Sequence, residues 1–103
     1  MATRAEIKVE GVNFCKLYKH YDGYPDGTLK WLEDFNQIFI QKRGNDHAYK
    51  MAQLIRSSAI DAKKYELDQS RYTGWGIEPF DVDCGVQFEY ILKDDGTVEV
   101  NRK

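Results

Sequence analysis

Two segments of helical period lie in the middle of this chain, joined by the short stretch Asn45-Asp46, and the segments on either side of them alternate at strand period. That order constrains the fold more than any other feature. In the first helical segment Trp31, Leu32, Phe35, Ile38 and Phe39 fall on one stripe, with Glu33, Asp34, Gln37 and Gln41 on the other side. Asp26 or Thr28 can cap its start, Lys42 and Arg43 suit the dipole of its last turn, and Gly44 is a natural stop. The second has an inward stripe of Ala48, Met51, Ala52, Ile55 and Ala59, with Asn45 or Asp46 as its cap. The spacing predicts helices over Thr28–Arg43 and Asp46–Ile60, and the short join makes them a hairpin.

The flanks read as strands. Glu6-Ile7-Lys8-Val9-Glu10 alternates charged and apolar residues, and Gly11 marks a bend. From Val12 to His20 alternation puts Cys15 and Leu17 on a core face, with Phe14, Lys16, Tyr18 and His20 on the other. Asp22-Gly23 and Pro25-Asp26-Gly27 are turn chemistry. After the helices, Asp61 to Gly76 reads as a helical tail and an ordered loop, with Gly74-Trp75-Gly76 as a turn. Pro79 confines Ile77–Phe80 to an edge or bulged strand. Val86–Leu92 is the clearest strand, and Asp94-Asp95-Gly96-Thr97 predicts a type I′ hairpin turn into Val98–Asn101. The expectation is a single α+β domain over residues 1–103: an antiparallel sheet with the two-helix hairpin packed on one face. Trp31, Phe35, Phe39, Met51, Ile55, Phe88 and Tyr90 should share its core.

Composition narrows the function. A net charge of −2 gives no pull toward duplex nucleic acid. Residues Met1 to Glu6 lack the apolar core of a signal peptide, and no apolar run reaches membrane-spanning length. A cytoplasmic protein is expected, with Cys15 and Cys84 as free thiols. His20 and Asp22 could act as an acid–base pair, or hold a metal with His47, but neither spacing repeats a known site. A histidine that ends a strand and bonds a turn carboxylate is the simpler reading. Asp81, Asp83 and Cys84 lack the further oxygen ligands of a calcium loop, and Gly74-Trp75-Gly76 lacks the lysine of a phosphate loop. No motif supplies a base or oxyanion donor for either cysteine. Neither metal nor cofactor is expected.

An aromatic and basic set is the better candidate for a binding surface. Lys16, Tyr18, Lys19, His20, Tyr21, Asp22 and Tyr24 form one block, Arg71, Tyr72 and Trp75 a second, and Arg56 comes from the second helix. Tyr, Trp and Arg dominate binding hot spots, and the same types can stack a base and hold a phosphate. The competing reading makes these aromatics core volume in a short chain that is 14% aromatic.

The runs Leu17-Tyr18-Lys19-His20-Tyr21-Asp22-Gly23-Tyr24-Pro25 and Arg71-Tyr72-Thr73-Gly74-Trp75-Gly76, with Ala52-Gln53-Leu54-Ile55-Arg56-Ser57-Ser58-Ala59 between them, resemble a family of small uncharacterised bacterial and phage proteins. No activity carries over from that family. The resemblance implies a bacterial or phage setting, where small proteins often bind and inhibit a host component. The sequence therefore points to a non-enzymatic binding protein with a protein partner, in its concrete form a phage-encoded inhibitor of a bacterial defence or host protein. The alternatives are a sponge for a small phosphate-bearing nucleotide and a small enzyme using His20 and Asp22.

Overall fold

A computed structural model describes residues 3–64 and 74–103. Among them the chain forms β1 (Ala5–Val9), β2 (Cys15–Lys19), α1 (Pro25–Arg43), α2 (His47–Lys64), β3 (Trp75–Pro79), β4 (Phe88–Leu92) and β5 (Val98–Arg102). The strands make one sheet in the order β3-β2-β1-β4-β5. The α+β expectation holds. The purely antiparallel sheet does not, because β1 and β4 run parallel, Ile7 beside Tyr90 and Val9 beside Leu92. Strand direction across so long a sequence separation is set by the connections, and no local pattern records it.

Register decides the two faces. Ala5, Ile7 and Val9 share a face with Leu17, Tyr90 and Leu92, and Leu32 of α1 and Met51 and Leu54 of α2 close over them in one buried cluster. Burying each such aliphatic side chain is worth about 1.5–3 kcal/mol. Met51 and Tyr90 are at the heart of the core as expected, while Trp31, Phe35, Ile55 and Phe88 pack half-buried against it. Phe39 is buried outside that cluster, stacked on Phe35 and against Tyr49. The centre belongs to β1, the middle strand of the five, four of whose five residues are buried.

Both helix stripes are rotated from the reading by apolar residues alone. α1 buries Thr28, Leu32, Asn36 and Phe39 and leaves Ile38 exposed. α2 buries Lys50, Met51, Leu54 and Ser58, with Ala48 and Ala52 outside. The reason is a polar pairing: Lys50 Nζ donates to Asn36 Oδ1 of α1 at 2.7 Å, so on α2 a lysine turns inward where alanines were expected. Non-helical dihedrals at Asp26 and Gly27 make Thr28 the start of the continuous helix, as its spacing predicts. Tyr24, ahead of the first turn, makes no side-chain cap, and Thr28 Oγ1 donates to Asp22 O at 2.9 Å. Gly44 stops the helix at φ 64°, its N–H donating to Ile40 O.

Three local expectations change. The second strand starts at Cys15 rather than Val12, because Glu10 and Gly11 form a turn closed by Val12 N–H to Val9 O at 3.0 Å. Trp75 and Gly76 open β3 rather than forming a turn. The β4–β5 turn is not type I′, which needs positive φ at two residues; only Gly96 has it. Lys93 N–H donates to Thr97 O across a three-residue loop, and the Asp95 carboxylate accepts from the Thr97 amide and hydroxyl.

The connection from β3 to β4, residues 80–87, positions the rest. β3 ends beside Cys15 and β4 begins beside Ala5, so the chain must run back along the sheet. It does so over the face opposite the helices, where Lys16 Nζ donates to Val82 O and Lys8 Nζ stands 4.7 Å from the Phe80 ring centre. Cys84 lies in this connection and Cys15 on the helix side of the sheet, which keeps the two thiols apart.

Candidate functional surface

The pairing of β2 with β3 brings the first aromatic block beside Gly74, Trp75 and Gly76. Tyr18 lies beside Gly76 and Lys19 beside Trp75, and His20 N–H donates to Gly74 O at 2.8 Å. One glycine clears the space. A Cβ on Gly74 would come within 2.8 Å of the Tyr21 ring, so only glycine lets that ring lie so close to the backbone. At Gly76 a Cβ would meet the Tyr18 ring only in ordinary contact, at 3.9 Å. Tyr18 and His20 share one face, as alternation requires, with the Tyr18 hydroxyl 2.7 Å from His20 Nδ1. The His20 ring meets Tyr21 edge-on at 4.6 Å.

The turn beyond them is held at several points. Asp22 takes φ 55°, an unusual value for a residue with a side chain. Gly23 is buried: a Cβ there would be 2.7 Å from the Ala5 Cβ and 2.9 Å from backbone atoms. Its N–H donates to Thr3 O, and its carbonyl accepts the Tyr90 hydroxyl at 2.6 Å. Burial pushes the Tyr90 phenol up to about 12, so it stays a donor. Tyr24 donates to Asp22 Oδ1 at 3.2 Å, and the nearby Asp22 carboxylate raises its phenol pKa. Tyr21 and Tyr24 remain 40% and 41% exposed on this pinned backbone.

Other members of the set lie elsewhere. Lys16, expected on the exposed aromatic and basic face, is only 3% exposed, paired with Glu6 at 2.9 Å beneath the residue 80–87 connection. Trp75 is on the helix side of β3, half-buried edge-on to Trp31 at 5.7 Å and capped by Lys19 Nζ at 4.2 Å. Arg56 is exposed on α2, and no described contact joins it to β2. Arg71 and Tyr72 lie outside the described residues.

The proposed acid–base pair separates, since His20 turns to Tyr18 and Asp22 to Tyr24. His47 does not join them. It bonds Asp94 at 2.8 Å, beyond Leu92, whereas His20 follows the β2 end beside Ala5 at the other end of β1. Among the described residues no three His, Cys, Asp or Glu side chains gather to hold a metal. Burial raises both thiols, which disfavours the thiolate. No described helix is long and apolar enough to cross a membrane.

Sequence reasoning missed two polar clusters. On the face opposite the helices, Glu6, Lys8, Lys16 and Glu89 form a linked set: Lys8 lies 3.2 Å from Glu6 and 2.6 Å from Glu89, and Lys103 lies 3.7 Å from Glu89. Burial alone would raise the Glu89 carboxyl, but hydrogen bonds from Lys8 and Asn101 and the nearby lysine charges bring it down to about 2. The alternating charges of Glu6 and Lys8 were the signal, but they read as a solvated face because nothing in the sequence shows the connection crossing above. The second cluster joins Asn36, Lys50, Asn45, His47, Asp94 and Glu10 around the β4–β5 turn.

No family model, curated protein or solved structure matches this chain.

Proposed function

We propose that this chain is a non-enzymatic binding protein that captures a protein partner through Tyr18, His20, Tyr21, Asp22 and Tyr24. The observation that carries this reading is the braced turn after β2, which leaves Tyr21 and Tyr24 exposed close to Tyr18 and His20. Tyrosines held in place lose little entropy on binding, which is why they serve so often as anchors. His20 adds an imidazole whose Nε2 has no described partner. The family resemblance favours a phage-encoded inhibitor of a bacterial defence or host protein, acting in the cytosol. A phosphate-bearing ligand is less well served, since Lys16 is committed to Glu6 and the Val82 carbonyl. An enzyme built on His20 and Asp22 is less well served too, since the two are turned to different partners.

The test is capture from bacterial lysate with mass spectrometry, followed by titration of the captured protein against folded variants. Tyr21→Ala, Tyr24→Ala and His20→Ala should each weaken binding more than tenfold, the usual effect of losing a hot spot of about 2 kcal/mol. Glu33→Ala and Gln41→Ala, on the outer side of α1, should not. The reverse pattern would move the functional surface to the helices.

A further inference from the structure

The two edges of the sheet differ in what they offer a neighbour. In the β2–β3 ladder the Tyr18–Gly76 and Lys16–Glu78 pairs exchange hydrogen bonds, in phase with His20 N–H to Gly74 O. The outward backbone groups of β3 are therefore those of Trp75, Ile77 and Pro79. Proline has no N–H, so this edge is blunted.

The β5 edge is not blunted. Lys93 N–H donates to Thr97 O and Lys103 N–H to Gln87 O, so the bonded pairs with β4 are those of residues 97, 99, 101 and 103. Val98, Val100 and Arg102 then point both N–H and C=O away from the sheet. Val98 and Val100 are only half-buried although they pack against the core, since nothing described flanks them on that side.

We propose that this edge pairs with the same edge of a second copy, joining two five-stranded sheets into one across a two-fold axis at Val100. Antiparallel pairing in that register sets Val98 opposite the partner copy's Arg102, and Val100 opposite its own equivalent. Every outward N–H and C=O of the three residues then finds a partner, giving six hydrogen bonds across the seam. Side chains agree with this register. Val100 meets Val100, Glu99 meets Asn101, and no like charges stand directly opposite. A slip toward the β4–β5 turn would set Glu99 against Glu99, and a slip the other way would leave Val98 unpaired. The contact is isologous and closes on itself, so it gives a dimer and no longer array.

Sedimentation equilibrium of the full chain tests this. The wild type should approach the mass of two chains as concentration rises. Arg102→Pro should sediment as one chain with an unchanged far-UV spectrum, because the lost N–H makes no bond within the protein. Ile77→Pro, the same change on the β3 edge, should leave the dimer intact. Hydrogen exchange of the wild type supplies a readout that needs no variant. The Val98, Val100 and Arg102 amides should become more protected with concentration, and the Ile77 amide should not. A wild type that stays one chain at every concentration overturns the proposal. So does a dimer that survives Arg102→Pro, or one that forms while those three amides exchange as freely as in dilute solution.

Discussion

Replacing Asn36 by leucine keeps the branched shape of a fully buried side chain, puts methyl groups in place of its amide and removes its polar contacts. Asn36 is 0% exposed. Its amide donates to Lys93 O at 2.9 Å and Thr97 O at 3.0 Å, and its Oδ1 accepts from Lys50 Nζ at 2.7 Å. One side chain thus ties α1, α2 and the β4–β5 turn. Both carbonyls keep one other donor, since Gly96 N–H bonds Lys93 O and Lys93 N–H bonds Thr97 O. Each should therefore lose about 1 kcal/mol, the low end of the range for a disrupted buried group. Lys50 loses more. It too is 0% exposed, and its remaining acceptor, Asn45 Oδ1, is 3.5 Å away. A buried amine stripped of its best partner adds about 2 kcal/mol or more, for a sum of about 4 kcal/mol. In a domain of this size that lowers the melting temperature by roughly 15–30 °C. Denaturant and thermal melts followed by circular dichroism measure it. Adding Lys50→Met removes the stranded amine, so the double variant should be about 1–3 kcal/mol more stable than the sum of the singles predicts. A loss below about 1 kcal/mol for Asn36→Leu, or strict additivity in the double, would refute the reasoning. The pH dependence gives an independent check. Burial pushes the Lys50 amine below its ordinary value of 10.5, partly opposed by Asp94 and Glu10. Its charge therefore works against the fold at neutral pH, and that opposition fades as pH rises from the folded value toward 10.5. The wild type should gain stability relative to Lys50→Met over that window.

Two further outcomes follow from the cluster opposite the helices. Glu89 titrates near 2 in the fold against 4.5 when unfolded, so its stabilisation of about 3 kcal/mol is present above about pH 5 and lost as pH falls toward 2. Acid titration of unfolding should show that slope, and Glu89→Gln should flatten it. Lys16→Ala leaves Glu6 buried without its closest cation and should cost about 3 kcal/mol in a urea melt, whereas a residue of an exposed binding surface would change stability by less than about 0.5 kcal/mol.

Local order was legible because it is written in local chemistry. Period 2 in Glu6–Glu10, the Pro79 that marks an edge strand, and the Gly44 that ends α1 each state a backbone preference that neighbours do not override. The two aromatic blocks were also legible, as unusual runs of tyrosine around glycines. That Gly74 and Gly76 lie beside the first run was not, because it depends on β2 meeting β3 across the helix pair. Lys16 and Trp75 were misplaced for the same reason: which face of a strand is covered depends on what crosses it, and residues 80–87 and α1 come from elsewhere in the chain.

By itself, then, the sequence determined the element types, their order and the Gly44 stop of α1, all set by short-range sterics and hydrogen bonding, while α2 runs past the expected Ile60 to Lys64. Tertiary structure alone decided that β1 is central, that β1 and β4 run parallel, and that Lys50 turns inward to Asn36 while Ala48 and Ala52 face out. Those outcomes rest on contacts between residues far apart in the chain. Whether a lysine can be buried depends on an acceptor waiting at the site, and only the folded arrangement of α1, α2 and the β4–β5 turn brings that acceptor there.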